Sequence, residues 1–251
     1  MDDTAYTQLK RSLAKLLDLD LDGYKQPQMR RRIETFVTKH GNDPVAFTER
    51  LPKDPELLQA TRDMLTINVT DFFRDRAQWD RLESTVLPSL VQHRNALKIW
   101  SAGCSHGQEP VSLAILLDEA GALRRSTMLA TDFDHAALAR AKAGGPYTKD
   151  EMRGMSPAHL ATYFTERDGK YLADPKLLRQ NTYRELNLLK DRFAADFDLI
   201  VCRNVMIYFE PDVKAALIRR FREALRPGGV LFIGATEALL GADAEGLDRL
   251  R

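Results

Sequence analysis

The sequence predicts an α/β protein in which an all-α domain precedes a doubly wound, mainly parallel sheet. In the first quarter of the chain, apolar side chains recur at helical spacing and β-branched residues rarely cluster. Further on, apolar runs such as "LKIWSAG" and "FDLIVCRNV" alternate with helical stretches such as "PVSLAILLDEAG". This alternation is typical of parallel strands joined by helical crossovers.

The domain limits follow from these patterns. Helical spacing, as at Leu9, Leu13 and Ile33, predicts a helical domain over residues 1–75, and the strand–helix alternation predicts an α/β domain over 76–251. Within it, "YFTERDGKYLADPKLLRQNTYREL" breaks the alternation around Asp-Gly, a dipeptide that favours a hairpin turn. We therefore predict a small antiparallel β insert at about residues 163–184.

Composition limits the class of protein. A net charge of +1 from 37 basic and 36 acidic side chains gives no overall attraction to nucleic acid or membrane. The apolar runs are too short to cross a bilayer and "MDDTAYTQ" lacks the features of a secretion signal, so we expect a cytoplasmic protein. Cys104 and Cys202 lie in apolar strand-like runs, which argues against a disulfide or metal site. No pattern indicates a symmetric interface, and we expect a monomer.

The turn after the first predicted strand, "IWSAGCSHGQEP", indicates the ligand. It contains Gly103 but no G-x-G-x-x-G or G-K-[ST] pattern, which disfavours a pyrophosphate or triphosphate. Its Glu109 would repel phosphate but suits a cofactor with an ammonium and a sulfonium, namely S-adenosylmethionine. Asp132 closes the second strand, where an acidic residue can bind ribose, and Phe133 could cover adenine.

Each feature alone has a simpler interpretation. A glycine turn after a strand is common, and Asp132 alone could cap the following helix. In "NVTDFFRD", Thr70 or Asp71 could cap a helix while the two phenylalanines pack inward. Taken together, in this order on these strands, the glycine turn and Asp132 favour a nucleoside-cofactor site.

Several motifs resemble one family over nearly the whole chain. The stretches "NVTDFFRD", "IWSAGCSHGQEPVSLA", "ATDFDHAALARAKAGGPY", "FDLIVCRNVMIYFEP" and "LRPGGVLFIGATE" are similar to the CheR-type chemoreceptor glutamate O-methyltransferases. The resemblance implies a Rossmann-like class I S-adenosylmethionine-dependent methyltransferase domain with a small β-subdomain, preceded by a helical domain. It also implies S-adenosylmethionine as cofactor and S-adenosylhomocysteine as product.

The resemblance also implies site residues. Arg74 would pair with the methionine carboxylate, Glu109 with its ammonium, and Asn187 with the adenine edge. With the residues read from the strand ends, the predicted cofactor contacts are Asn68, Thr70, Arg74, Gly103, Glu109, Asp132, Phe133, Asn187, Leu188, Asn204 and Val205.

The implied acceptor is a receptor glutamate, which is ionised at neutral pH and needs no general base. Arg203 and Tyr208 are the candidate catalytic residues that position it, although a buried Arg or Tyr can equally be structural. Arg31 and Arg32 in "MRRRIETF" are candidates for binding the acidic methylation helices of the receptor, while a solvated basic face is the simpler alternative.

Departures from the family pattern leave alternatives open. His106, Val111 and the tetrapeptide "GATE" replace more frequent residues, so a non-catalytic S-adenosylmethionine-binding signalling module is the second hypothesis. A small-molecule carboxylate is a third, less favoured acceptor. The short loop "TERDGKY" predicts an enzyme that does not depend on a receptor C-terminal pentapeptide. After "VLFIGAT" such sheets generally add a last antiparallel strand, which "GLDRLR" does not obviously supply.

Overall fold

The computed structural model describes residues 1–237, 239 and 246–248, and it divides into two compact units. The smaller unit comprises Met1–Ile67 and Tyr208–Lys214, and the larger comprises Asn68–Ile207 and the chain from Ala215. Residues 68–75, predicted within the helical domain, therefore group with the larger unit. Their place there follows from two phenylalanines of this segment, which are buried in the core of that unit.

Four helices build the smaller unit. They are α1 (Asp3–Leu17), α2 (Gln26–Lys39), α3 (Pro44–Arg50) and α4 (Pro55–Thr66). Aspartates at the N-caps of α1, α3 and α4 accept backbone N–H bonds, as the first turn of a helix requires. The buried face of α2 consists of Met29, Ile33 and Val37, the four-residue spacing of an amphipathic helix.

The larger unit is built on a parallel sheet. Its helices are α5 (Arg76–Arg81), α6 (Leu87–His93), α7 (Gln108–Glu119), α8 (His135–Ala143), α9 (Pro157–Tyr163), α10 (Pro175–Leu178) and α11 (Pro211–Ala224), of which α11 begins in the smaller unit. Its strands are β1 (Lys98–Ala102), β2 (Thr127–Asp132), β3 (Tyr147–Thr148), β4 (Phe164–Arg167), β5 (Lys170–Ala173), β6 (Asn181–Glu185), β7 (Phe197–Cys202) and β8 (Leu225–Ile233).

The order of the five parallel strands explains where a ligand can bind. They lie in the order β6-β2-β1-β7-β8, and every neighbouring pair is parallel. The chain first builds outward from β1 to β6 and then returns to place β7 on the other side of β1. A crevice forms at such a switch point, beyond the carboxyl ends of β1 and β7. This is the predicted doubly wound α/β fold.

The small antiparallel sheet differs from the predicted insert in its strands. It has the order β3-β5-β4, so it takes in Tyr147–Thr148 from before residue 163. Asp168 and Gly169 both have positive φ in the turn between β4 and β5, as a two-residue hairpin requires. In contrast β6, predicted within the insert, belongs to the five-stranded sheet, where it pairs in parallel with β2 and Glu185 lies beside Asp132.

The remaining sequence expectations concern the cysteines and the chain end. Cys104 and Cys202 are free and buried, and burial raises the pKa of both thiols well above the usual value. Among the described residues, every helix is too short or too polar to span a bilayer. The chain end after β8, where such sheets generally add an antiparallel strand, lies mostly outside the described residues.

Candidate functional site

The turn after β1 passes closely against the segment that follows β7. Gly103 has a φ of +86°, which favours glycine. Its N–H and that of Cys104 both donate to the Thr131 carbonyl, at 2.8 and 2.9 Å. A Cβ on Gly103 would lie 2.7 Å from Cγ2 of Val205. The ends of β1, β2 and β7 therefore meet at one point of the larger unit.

Glu109 places a carboxylate beside this point. It lies in the first turn of α7 with only 9% of its surface exposed, and its Oε1 accepts a hydrogen bond from Ser101 Oγ at 2.7 Å. The pKa of Glu109 is raised to about 7, mainly by burial and to a smaller extent by Glu237, while Arg203, Ser101 and Arg74 oppose the shift. A ligand cation would complete the pairing of this carboxylate.

Asp132 ends β2 and holds the neighbouring turn. Its Oδ2 accepts from Ser105 N at 2.7 Å and its Oδ1 accepts from Asp134 N at 2.9 Å. The pKa of Asp132 is raised to about 6, because desolvation outweighs the lowering by the backbone hydrogen bonds from Asp134 and Ser105. Each carboxylate oxygen keeps a lone pair for a further donor. The alternative interpretation of Asp132 as a helix cap is wrong, because the cap of α8 is Asp134.

The segment after β6 adjoins Asp132 through the backbone. Leu186 N donates to the Asp132 carbonyl at 3.0 Å, which brings Asn187 and Leu188 to the end of β2. Asn187 Oδ1 accepts from Leu189 N at 2.9 Å and forms a local turn, while Leu188 is buried. Half-buried Phe133 follows Asp132 directly. These residues therefore lie together beyond the carboxyl end of β2.

Residues 68–75 belong to the larger unit and lie near the turn after β1. Asn68 Nδ2 donates to Asp134 Oδ2 at 2.6 Å, and Asn68 Oδ1 accepts from Ser105 Oγ at 3.2 Å. Thr70 and Arg74 are half-buried, and Arg74 donates to the Val69 carbonyl at 2.8 Å. Asn68 therefore stabilises the turn that contains Ser105 through these two hydrogen bonds.

The aromatic pair of this segment packs inward, as the structural interpretation of "NVTDFFRD" predicts. Phe72 lies edge-on to Tyr147 at 4.9 Å between ring centroids, and both Phe72 and Phe73 are almost fully buried. The capping part of that interpretation is wrong, because α5 begins after Asp75, which has positive φ and forms no side-chain cap.

Arg203 follows β7 and is enclosed by protein groups. Its guanidinium donates to Asp75 Oδ2 and to Gln78 Oε1, both at 2.9 Å, and it lies 5.6 Å from the Trp79 ring centroid. Burial lowers the pKa of Arg203, against the opposing effect of Glu109. These contacts fit the structural alternative for Arg203, and its buried Nε has no hydrogen-bond partner among the described residues.

Asn204 contributes a buried acceptor. It has positive φ at +59°, and its backbone N–H donates to Glu237 Oε2 at 2.7 Å. Its side-chain Oδ1 is buried and has no hydrogen-bond partner among the described residues. Because an unpaired buried acceptor is unfavourable, this oxygen is suited to a donor on a ligand. The sequence did not predict Glu237 as a site residue, and its only sequence signal is the unusual tetrapeptide "GATE".

The other predicted residues lie in the smaller unit. Tyr208 accepts from Lys25 N at 2.9 Å through its carbonyl. Arg31 is exposed on α2, whereas half-buried Arg32 donates to the Met64 carbonyl. Arg31 is therefore accessible to a docking partner as it stands, whereas Arg32 would first have to break its hydrogen bond to Met64.

The predicted cofactor residues of the larger unit thus fit S-adenosylmethionine. Glu109 supplies a carboxylate for an ammonium, Asp132 has acceptor capacity for ribose hydroxyls, and Asn204 offers an orphaned acceptor. Gly103 lets Val205 approach the turn after β1 closely, since a Cβ there would clash with Val205 Cγ2. Neither the turn sequence nor these carboxylates suit a phosphate group.

Known proteins agree with this chemistry. A family model described as CheR methyltransferase, SAM binding domain, matches residues 68–247. A chemotaxis protein methyltransferase of Listeria monocytogenes is 41% identical over 247 residues, covering 98% of this chain and 94% of that protein. Chemotaxis protein methyltransferase 1 of Pseudomonas aeruginosa is 41% identical over 188 residues, covering 70% and 68%. The chain therefore belongs to the CheR methyltransferase family and is an S-adenosylmethionine-dependent methyltransferase.

Proposed function

We propose that the protein methylates glutamate side chains of a chemoreceptor, producing glutamyl methyl esters and S-adenosylhomocysteine. The observation that carries this proposal is the buried carboxylate of Glu109 at the turn after β1, where a phosphate-binding site would have a cation. Relatives named chemotaxis protein methyltransferases support a receptor as the substrate. The acceptor would lie in the cytoplasmic methylation helices of that receptor.

The predicted contacts divide among the parts of the cofactor. We propose that Glu109 binds the ammonium, Arg74 the carboxylate, and Asp132 the ribose hydroxyls. Asn187, Leu188 and nearby Phe133 would surround the base. When bound, S-adenosylmethionine supplies a methyl group on a positively charged sulfur, which is electrophilic without further activation.

Little other chemistry is required of the protein. A glutamate carboxylate, with an ordinary pKa of about 4.3, is already the nucleophile at neutral pH. The protein must therefore align the acceptor and exclude water as opposite charges neutralise each other. We propose that Arg203, through its unpaired Nε, positions the acceptor carboxylate. Tyr208 stays a predicted catalytic residue. Because Arg203 is already paired with Asp75, its contribution includes holding residues 68–75 in place.

The smaller unit would bind the receptor. On α2 the exposed Arg31 and Lys39 lie on the side opposite the buried Met29, Ile33 and Val37. A basic helix face complements acidic methylation helices and accelerates their association. The turn between β4 and β5 has only two residues, which supports an enzyme that acts without a pentapeptide tether.

Transfer of labelled methyl groups tests this function. The protein would be incubated with methyl-labelled S-adenosylmethionine and either receptor-containing membranes or small carboxylic acids. We expect label on the receptor that is released as methanol by alkali, as a carboxyl methyl ester requires. Replacement of the receptor glutamates by alanine should abolish the label. Cofactor binding without any transfer would favour the signalling-module hypothesis, and labelled small acids would favour the third.

A further inference from the structure

One buried carboxylate of the larger unit has no place in the proposed chemistry. Glu237, only 1% exposed, lies just after β8. Its Oε2 accepts from Asn204 N at 2.7 Å and from Gly234 N at 2.8 Å, and its Oε1 accepts from Ile207 N at 3.2 Å. A single side chain therefore binds three backbone N–H groups from two segments.

These three groups lie where the sheet no longer supplies partners. The paired register of β7 and β8 ends at Cys202 and Ile233. After these residues the two strands no longer pair, and the N–H groups of Asn204 and Gly234 would have no neighbouring strand as a hydrogen-bond partner. The carboxylate of Glu237 takes over this pairing, and bonds from N–H groups to an ionised acceptor are stronger than bonds between neutral groups.

The surrounding backbone is shaped around this carboxylate. Asn204 has a φ of +59°, a left-handed conformation that is uncommon outside glycine but that asparagine adopts more readily than most residues. A Cβ on Gly234 would lie 2.7 Å from Glu237 Oε2 and 3.0 Å from Asn204 N. Glycine is thus required at position 234 for the carboxylate to reach both N–H groups.

We propose that Glu237 is a positioning residue that fixes residues 204–207 in the conformation needed to bind the cofactor. It does so by holding the backbone of Asn204 and Ile207, so that the side chains of Asn204 and Val205 face the ligand. This inference rests on the proposed cofactor contacts of Asn204 and Val205. The fixation of the backbone itself does not depend on the cofactor.

The variant Glu237→Gln tests the proposal with little change of shape. Glutamine keeps one carbonyl oxygen but sets an NH2 group against a backbone N–H, so at least one of the three bonds is lost. We expect its Kd for S-adenosylhomocysteine, measured by calorimetry, to rise at least tenfold. Amide hydrogen exchange over residues 203–207 should become faster while exchange within β7 stays unchanged. Gly234→Ala, which crowds the same carboxylate, should shift both measurements in the same direction.

Asp198→Asn is the matched control. Asp198 is a second buried carboxylate, at the opposite end of β7, and it accepts from Lys98 N at 2.7 Å and pairs with Arg226 at 3.2 Å. Its replacement should lower thermal stability but leave the Kd unchanged. Wild-type Kd and exchange in Glu237→Gln would overturn the proposal. If the wild type itself fails to bind, the proposed cofactor contacts fail, and the exchange measurement alone still decides the role of Glu237.

Discussion

At the scale of single residues, the predicted cofactor site contains buried carboxylates whose charged forms are costly to the free protein. Burial raises the pKa of Glu109 to about 7 and desolvation raises that of Asp132 to about 6. A carboxyl group held in this way favours folding while protonated and opposes it while charged. Retaining such groups makes sense where a ligand provides the missing positive charge or hydrogen-bond donors.

Cofactor affinity should therefore depend on pH through Glu109. As the pH falls through about 7, Glu109 takes up a proton in the free protein, and an ammonium can bind only after that proton is released. We expect binding of S-adenosylhomocysteine to be about tenfold weaker at pH 6 than at pH 8. Asp132 should add to the loss below about pH 6. Calorimetry in buffers of different ionisation enthalpy should detect proton release near pH 6.

Two variants on α7 distinguish the titration of Glu109 from a general effect of removing a carboxylate from this helix. Glu109→Gln should bind weakly at every pH and lose the dependence near pH 7. Glu119→Gln, at the other end of the same helix, should keep the wild-type profile, since Glu119 contacts His159 at 3.0 Å and is not part of the site. An unchanged pH dependence in Glu109→Gln would contradict the assignment of the ammonium to Glu109.

At the scale of elements, the site depends on where strands end. The glycine turn after β1 and the aspartate that closes β2 were predictable, because they follow apolar runs at the places where a parallel sheet binds ligands. The pairing of β6 was not predictable, because its partner β2 is distant in the chain. The local sequence of a strand also does not show whether its neighbour is parallel or antiparallel. The contacts of Arg203 and Glu237 were hidden for the same reason, as each joins residues far apart in sequence.

The turn after β1 should not tolerate a side chain. Gly103→Ala combines a positive φ with a Cβ only 2.7 Å from Val205 Cγ2. Gly121→Ala is the matched control, because Gly121 also has positive φ but no atom within 4 Å of the added Cβ. We expect both to lose about 1 kcal/mol of unfolding free energy from backbone strain. Only Gly103→Ala should lose a further 1–3 kcal/mol, roughly, through overpacking and bind S-adenosylhomocysteine at least tenfold more weakly.

Denaturant unfolding and calorimetry would measure these effects. Gly103→Ala combined with Val205→Ala should recover part of the lost stability, because the smaller side chain removes the close contact. Equal behaviour of the two single glycine variants would show that the approach of Val205 is unimportant for the site.

At the scale of the whole molecule, the predicted cofactor contacts and the predicted receptor contacts belong to different units. The predicted cofactor residues belong to the larger unit, whereas Arg31 and Tyr208 belong to the smaller one. Residues 208–214 follow β7 in sequence yet group with the helices of the smaller unit, where Phe209 packs edge-on to Tyr24 at 5.0 Å. The sequence pattern could not predict this division, because "CRNVMIYFEP" is one continuous motif that the two units share.

Substitutions on the exposed face of α2 should slow receptor methylation without changing cofactor binding. Arg31→Ala should lower the rate of receptor methylation several-fold, with a smaller effect at high salt, because it removes an exposed charge that attracts an acidic helix. Binding of S-adenosylhomocysteine should stay unchanged. Arg11→Ala, which removes an exposed arginine from α1, is the control and should leave methylation intact. Equal losses in both variants would indicate only a general charge effect.

We infer that the carboxyl ends of β1, β2 and β7 bind S-adenosylmethionine through Asp132 and its neighbours. The most direct test is calorimetric titration of S-adenosylhomocysteine into the wild type, Asp132→Ala and Asp43→Ala. Asp43 is the matched control, because it also accepts two backbone N–H bonds, from Val45 and Ala46, but caps α3 in the smaller unit. We expect micromolar binding by the wild type and Asp43→Ala, and its loss in Asp132→Ala. Undiminished binding by a folded Asp132→Ala variant would show that Asp132 does not bind the cofactor.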